Sequence, residues 1–187
     1  MTTVECPGCG LVHAARGRPR PAERGATGEC FEEYGILLDR SYSRAEYRPV
    51  HQLVVDAYIC QHPAGTSRRE AQFTALCLMT LCLFCEDAAE REDAAERADP
   101  ADGPWLHAMM MRGRPDFFHH LDPPDLTGLL THREVLMARS ASEHALLARA
   151  WAGSVWSAWE PQHAVVREWV ARACGDVVGR GGRRPRR

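Results

Sequence analysis

Apolar residues recur along most of this chain at three- and four-residue intervals, the spacing that places them on one face of an α-helix. Phe31, Tyr34 and Leu38 fall on such a face, which predicts a short helix over Cys30–Arg40, with residues 42–49 as a linker. From Val50 to His62 the sequence VHQLVVDAYICQH is apolar on every side of a helical wheel. That pattern belongs to a helix enclosed by protein, so its polar side chains need partners. Pro63-Ala64-Gly65 stops it, and Ser67 with Glu70 forms a capping box that opens a third helix through the mainly apolar residues 71–85.

The hexad Glu-Asp-Ala-Ala-Glu-Arg then occurs twice in succession over residues 86–97, a stretch with no face to bury. Its Asp87–Arg91 and Asp93–Arg97 pairs support a solvated extension of the helix by about 0.3 kcal/mol each. Residues 100–124 are punctuated by Gly and Pro and read as irregular. Thr131 and Glu134 make a second capping box, and Ser142 opens a longer pattern through Trp151, Val155, Trp156 and Trp159. Pro161 must break it, because its ring removes an amide and clashes with the preceding turn. His163 then starts a last helix ending near Cys174. Nothing reads as a β-sheet.

The expected fold is all-α, a bundle of four to six helices with an N-terminal zinc-knuckle segment. A length of 187 residues suits a single helical domain over 1–174, with the knuckle in 1–30 and a disordered basic tail over 175–187. An Arg-, Pro- and Gly-rich loop over 14–28 separates knuckle from body. The formal charge of -2 gives no general attraction to nucleic acid or to an anionic membrane. Arginines 180, 183, 184, 186 and 187 read as a solvated end, and no specific nucleic-acid binding is expected.

The apolar run 71–85 is shorter than the roughly 20 residues of a bilayer span. The N-terminus lacks the basic and apolar regions of a signal peptide, which places the eight cysteines in a reducing cytoplasm as thiols or metal thiolates. No Gly-rich phosphate loop, nucleophile elbow or HExxH pattern is present.

Cys6 and Cys9, in Glu5-Cys6-Pro7-Gly8-Cys9-Gly10, carry the strongest chemical signal. A two-residue gap lets both thiolates reach one ion, and Zn2+ favours soft sulfur in a tetrahedral site. No second pair has comparable context, so distant residues must complete the site. Cys30, at a helix start, is the expected third ligand. His13, His51, Cys60 and His62 compete for the fourth place, with His62 taken as the working assignment. Cys77, Cys82 and Cys85 lie in an apolar helix and read as core residues.

The segment His51–His62 concentrates imidazole, carboxylate and phenol in one enclosed helix. Such groups serve metal ligation and proton transfer. His51 and His62 lie roughly 16 Å apart at the helical rise and so cannot share one ion. His51, Asp56, Tyr58 and His163 are the candidate catalytic set: His51 or His62 as base or second-metal ligand, Asp56 as orienting carboxylate, Tyr58 as acid or donor. The tryptophans 151, 156, 159 and 169 read as core packing. His119 and His120 read as solvated.

The stretches CPGCG, ECFEEYGILLDRSYS, VHQLVVDAYICQHP, LMTLCL and EHALLARAWAGSVWSAWEPQHAVVREWV resemble a bacterial family catalogued as a domain of unknown function. The resemblance spans most of the chain and carries over Cys6, Cys9, Cys30, His51, Asp56, Tyr58, Gln61, His62 and His163, but implies no reaction. The expectation is a zinc-binding helical protein with a buried His/Asp/Tyr pocket, a metal-dependent enzyme acting on a small molecule. The alternative is a non-catalytic, zinc-stabilised interaction or regulatory module.

Overall fold

A computed structural model describes residues 2–22, 24–65, 67–90 and 118–179. The acidic repeat beyond Glu90 and the arginines from 180 onward lie outside the described residues. Two short strands, β1 (Thr3–Glu5) and β2 (Val12–Ala14), precede six helices among the described residues. These are α1 (Gly28–Ser43), α2 (His51–Gln61), α3 (Arg68–Glu90), α4 (His132–Leu136), α5 (Ala141–Ala158) and α6 (His163–Gly179). Short 3-10 turns over Ala45–Val50 and Glu160–Gln162 lead into α2 and α6. The all-α bundle is the architecture that the periodicity predicts.

Local chemistry sets most of the boundaries. Ser67 and Glu70 cap α3 reciprocally: the Glu70 amide donates to Ser67 Oγ at 3.3 Å and the Ser67 amide to Glu70 Oε2 at 3.2 Å. Thr131 and Glu134 form the same box before α4. Pro161 sits in the 3-10 turn, where its missing amide costs no helical hydrogen bond, and α6 restarts at His163.

Three boundaries differ from the sequence reading. Helix α1 begins at Gly28 because Thr27 Oγ1 accepts the Cys30 amide at 3.3 Å, and it runs on to Ser43. Helix α5 begins at Ala141, since Ser140 rather than Ser142 accepts the Glu143 amide, at 3.1 Å. Helix α6 continues past Cys174 to Gly179.

The hairpin is a further correction. β1 and β2 pair antiparallel with Val4 opposite His13, and strands of three residues are too short to show the alternation that marks a strand in sequence.

Helix α2 is the centre of the bundle, with Leu53, Val54 and everything from Asp56 to Gln61 buried. Its C-terminal end is pinned by tryptophans of α5 and of the turn after it. Trp151 Nε1 donates to Gln61 Oε1 at 2.9 Å, and Trp159 Nε1 donates to the Cys60 carbonyl at 3.0 Å. Gln61 Nε2 in turn donates to the carbonyls of Leu130 (3.0 Å) and Leu126 (3.4 Å). These bonds satisfy a polar side chain that is 0% exposed and fix where the next residue, His62, is presented.

Candidate metal centre

Cys6 and Cys9 lie in the turn that joins β1 to β2. The Cys6 amide donates to the Leu11 carbonyl at 2.9 Å and the Gly10 amide to the Cys6 carbonyl at 2.8 Å, closing the loop on itself. Gly10 holds φ +76°, a conformation that a Cβ would strain. The tip packs on the end of α2 so closely that a Cβ on Gly8 would meet His62 Cδ2 at 2.6 Å and the Gln61 carbonyl at 2.8 Å. Glycine at position 8 is thus what lets the hairpin reach His62.

Cys30 enters from the first turn of α1, and His62 is the residue that caps α2. One donor atom from each of Cys6, Cys9, Cys30 and His62 lies within 4.8 Å of all the others. Cys9 Sγ and Cys30 Sγ are 3.8 Å apart, and Cys30 Sγ is 3.4 Å from His62 Nε2. An ion with tetrahedral metal–sulfur bonds of about 2.3 Å and a metal–nitrogen bond of about 2.0 Å sets sulfurs about 3.8 Å apart and sulfur and nitrogen about 3.5 Å apart. The observed spacings fit that geometry, and the cluster is capable of coordinating a metal ion.

Each donor also has a neighbour that favours its role. The Cys9 amide favours the charged form of Cys6, and the Leu11 amide that of Cys9. Tyr58 Oη lies 3.7 Å from Cys30 Sγ. His62 Nδ1 donates to the Tyr58 carbonyl at 2.9 Å, which leaves the Nε2 lone pair facing the sulfurs. Tyr58 is held between Tyr34, stacked at 3.6 Å and 6°, and the His62 ring at 4.0 Å.

Acidities follow this arrangement. Hydrogen bonds from Cys30 and Cys9 hold the Cys6 thiol far below its usual range, whereas contact with Cys6 and Cys9 pushes Cys30 up. Burial, then the nearby Cys30, pushes Tyr58 upward, so it stays protonated and able to donate. Cys6, Cys30 and His62 are 0% exposed and Cys9 2%, which leaves no opening for a substrate at the cluster.

The other candidate ligands are engaged elsewhere. His13 Nδ1 accepts from Arg133 at 3.2 Å and lies 3.3 Å from Glu33. His51 Nδ1 is 2.6 Å from Ser41 Oγ, and its ring rests on Tyr42. Cys60 is buried in the core, its carbonyl bonded to Trp159.

Of the candidate catalytic residues, His51 and Asp56 interact electrostatically, whereas His163 packs on Trp156. Asp56 Oδ1 accepts from Gln52 Nε2 at 3.0 Å, one turn back on its own helix. His163 stacks on Trp156 at 3.8 Å and donates from Nε2 to the Trp156 carbonyl at 2.9 Å. Tyr58 alone of the four reaches the cluster. His119 lies edge-on to Trp169.

One buried polar residue escapes the sequence reading altogether. His132 is 0% exposed, neither ring nitrogen has a hydrogen-bond partner among the described residues, and it packs edge-on to Tyr58 and Tyr34. Its Nε2 is 3.8 Å from Glu33, and burial pushes its basicity down. In sequence it sits inside the Thr131–Glu134 capping box, which accounts for the segment without calling for an inward-facing imidazole.

Fold and site together define an all-α bundle, of six helices among the described residues, with a buried three-cysteine, one-histidine cluster. Residues 4–160 match the model of DUF5946, a family of unknown function, and the chain belongs to that family. The matched segment contains the whole cluster. No curated protein and no solved structure matches the chain. Among the described residues no helix is long and apolar enough to cross a membrane.

Proposed function

We propose that the chain is a zinc-binding helical module in which Cys6, Cys9, Cys30 and His62 hold one structural Zn2+. The observation that carries this reading is the spacing of the donor atoms, 3.8 Å between Cys9 and Cys30 sulfurs and 3.4 Å from Cys30 to His62 Nε2, together with the burial of all four side chains. Three thiolates and an imidazole suit zinc over harder ions, and a four-ligand site leaves no coordination position for a reactant. The ion would join three pieces of the chain that are distant in sequence: the hairpin turn, the start of α1 and the end of α2.

This reading favours the non-catalytic, zinc-stabilised module over a metal-dependent enzyme. The placement of His51 on Ser41 and of His163 on Trp156, away from the cluster, supports that preference. Elemental analysis of the purified full-length chain tests it: one zinc per chain is expected, with loss of the metal in both Cys9→Ser and His62→Ala. A wild-type protein purified without chelator that holds no zinc sinks the proposal.

A further inference from the structure

A cavity of about 460 Å³ lies between β2 and α1, apart from the metal cluster. Its helical wall is one stripe of α1, Glu29, Glu32, Glu33 and Ile36, at the spacing that aligns side chains on a single face. Its other wall is β2.

The register of the hairpin determines what β2 offers to that space. The Ala15 amide donates to the Thr2 carbonyl at 3.0 Å and the Cys6 amide to the Leu11 carbonyl at 2.9 Å. Hydrogen-bonded pairs alternate along an antiparallel ladder, so Val4 and His13 face each other while the N–H and C=O groups of Val12 and Ala14 point away from β1. Both residues line the cavity, and their outward backbone groups make no hydrogen bond among the described residues. Beside them is His13, whose side chain is only 8% exposed. Its Nδ1 lies 3.2 Å from Arg133 and its Nε2 is shut off from solvent, so the imidazole is part of the wall.

The charges on the helical wall differ in how firmly they are held. Glu29 accepts the Arg16 and Arg18 amides at 2.8 and 3.3 Å, and Glu33 is gripped by Arg133 at 2.9 and 2.8 Å. Glu32 is held only by the side chains of Arg16 and Arg18, which are 66% and 48% exposed. Pairs so exposed contribute little and exchange readily for another cation. Val12 and Ile36, 53% and 57% exposed, add uncovered apolar surface to the same space.

We propose that this cavity binds an extended peptide that adds to β2 as a third strand, placing a basic side chain on Glu32 and an aliphatic one over Val12 and Ile36. The outward groups of Val12 and Ala14 supply the main-chain pairing, as in recognition by strand addition. Charge selects among peptides: an acidic side chain facing Glu32 is repelled and a lysine or arginine replaces the displaced arginines.

The test is an amide NMR titration of the full-length, metal-loaded chain with a capped hexapeptide of alternating valine and lysine. Saturable shifts are expected at Val12 and Ala14, absent with the valine–glutamate peptide. Ala14→Pro removes an outward amide while leaving the β1 ladder intact, and is expected to weaken binding about tenfold. Its zinc content reports whether the hairpin is still assembled, a readout independent of the peptide. Should that variant lose its metal, the wild-type chain with a peptide N-methylated at alternate amides decides instead. Undisturbed Val12 and Ala14 amides at millimolar peptide overturn the proposal, as does equal affinity for the N-methylated peptide.

Discussion

Tyr58 Oη lies 3.7 Å from Cys30 Sγ, while the carbonyl of the same residue accepts from His62 Nδ1 at 2.9 Å. A single residue of α2 thus touches two of the four donors, one through its hydroxyl and the other through its carbonyl. The hydroxyl meets the Cys30 sulfur in a site that is closed to water, and the carbonyl fixes the imidazole tautomer.

Removing only the hydroxyl isolates half of that role. Tyr58→Phe keeps the stack on Tyr34 and the backbone bond to His62, so the variant is expected to fold and to bind one zinc at saturation. Its affinity is expected to fall about 10- to 100-fold, the usual cost of losing an outer partner of a ligand. Competition against a chromophoric chelator measures it, and an unchanged affinity refutes the positioning role.

Gly8→Ala probes the fit between the hairpin and α2. The added methyl would sit 2.6 Å from His62 Cδ2 and 2.8 Å from the carbonyls of Gln61 and Gly25. Two of those three atoms are backbone and cannot swing aside, so a destabilisation of about 1–3 kcal/mol is expected. Chemical unfolding at fixed zinc is the check, with a weakened metal affinity expected alongside because His62 is displaced.

Chelation of the metal should loosen the N-terminal segment before it unfolds the bundle. The hairpin has only a three-residue ladder of its own, whereas α2, α3 and α5 share the tryptophan-rich core. Hydrogen exchange is expected to lose protection at the Cys6 and Gly10 amides while the α2 amides remain slow. Simultaneous loss in both regions would show that the cluster stabilises the whole fold cooperatively.

His144 gives the bundle a pH dependence separate from the metal. Burial, then the charge of Arg40, holds its pKa down at about 4, and its ring packs edge-on to Tyr47 at 4.9 Å. An unfolded histidine titrates near 6.5, so between these values the unfolded chain binds more protons. Stability is therefore complete above about pH 6.5 and falls as pH drops through 4, by about 3 kcal/mol in all. In His144→Phe the difference in urea midpoint between pH 7 and pH 4.5 is expected to shrink relative to wild type at equal zinc.

Gln61 links the core to the site. Replacing Trp151 by Phe leaves Gln61 Oε1 buried without its 2.9 Å donor, at a cost of about 1–3 kcal/mol. Thermal unfolding measures that loss.

The sequence by itself determined the features that depend on neighbours along the chain. The helical period gave the bundle. Ser67 with Glu70 and Thr131 with Glu134 marked two helix starts, Pro161 marked a break, and the two-residue gap between Cys6 and Cys9 marked a pair of thiols able to share an ion. Each of these works through atoms a few residues apart, so spacing alone expresses it.

Tertiary structure decided the rest. His13, His51 and Cys60 competed with His62 for the fourth place in the sequence, and the end of α2, pinned by Trp151 and Trp159, is what brings His62 to the sulfurs. The same packing brings Tyr58 to Cys30, while His51 meets Ser41 and His163 meets Trp156. Ligation requires atoms to meet within a few ångströms in three dimensions, and which distant residues do so depends on how the helices cross, which no pattern along one helix encodes.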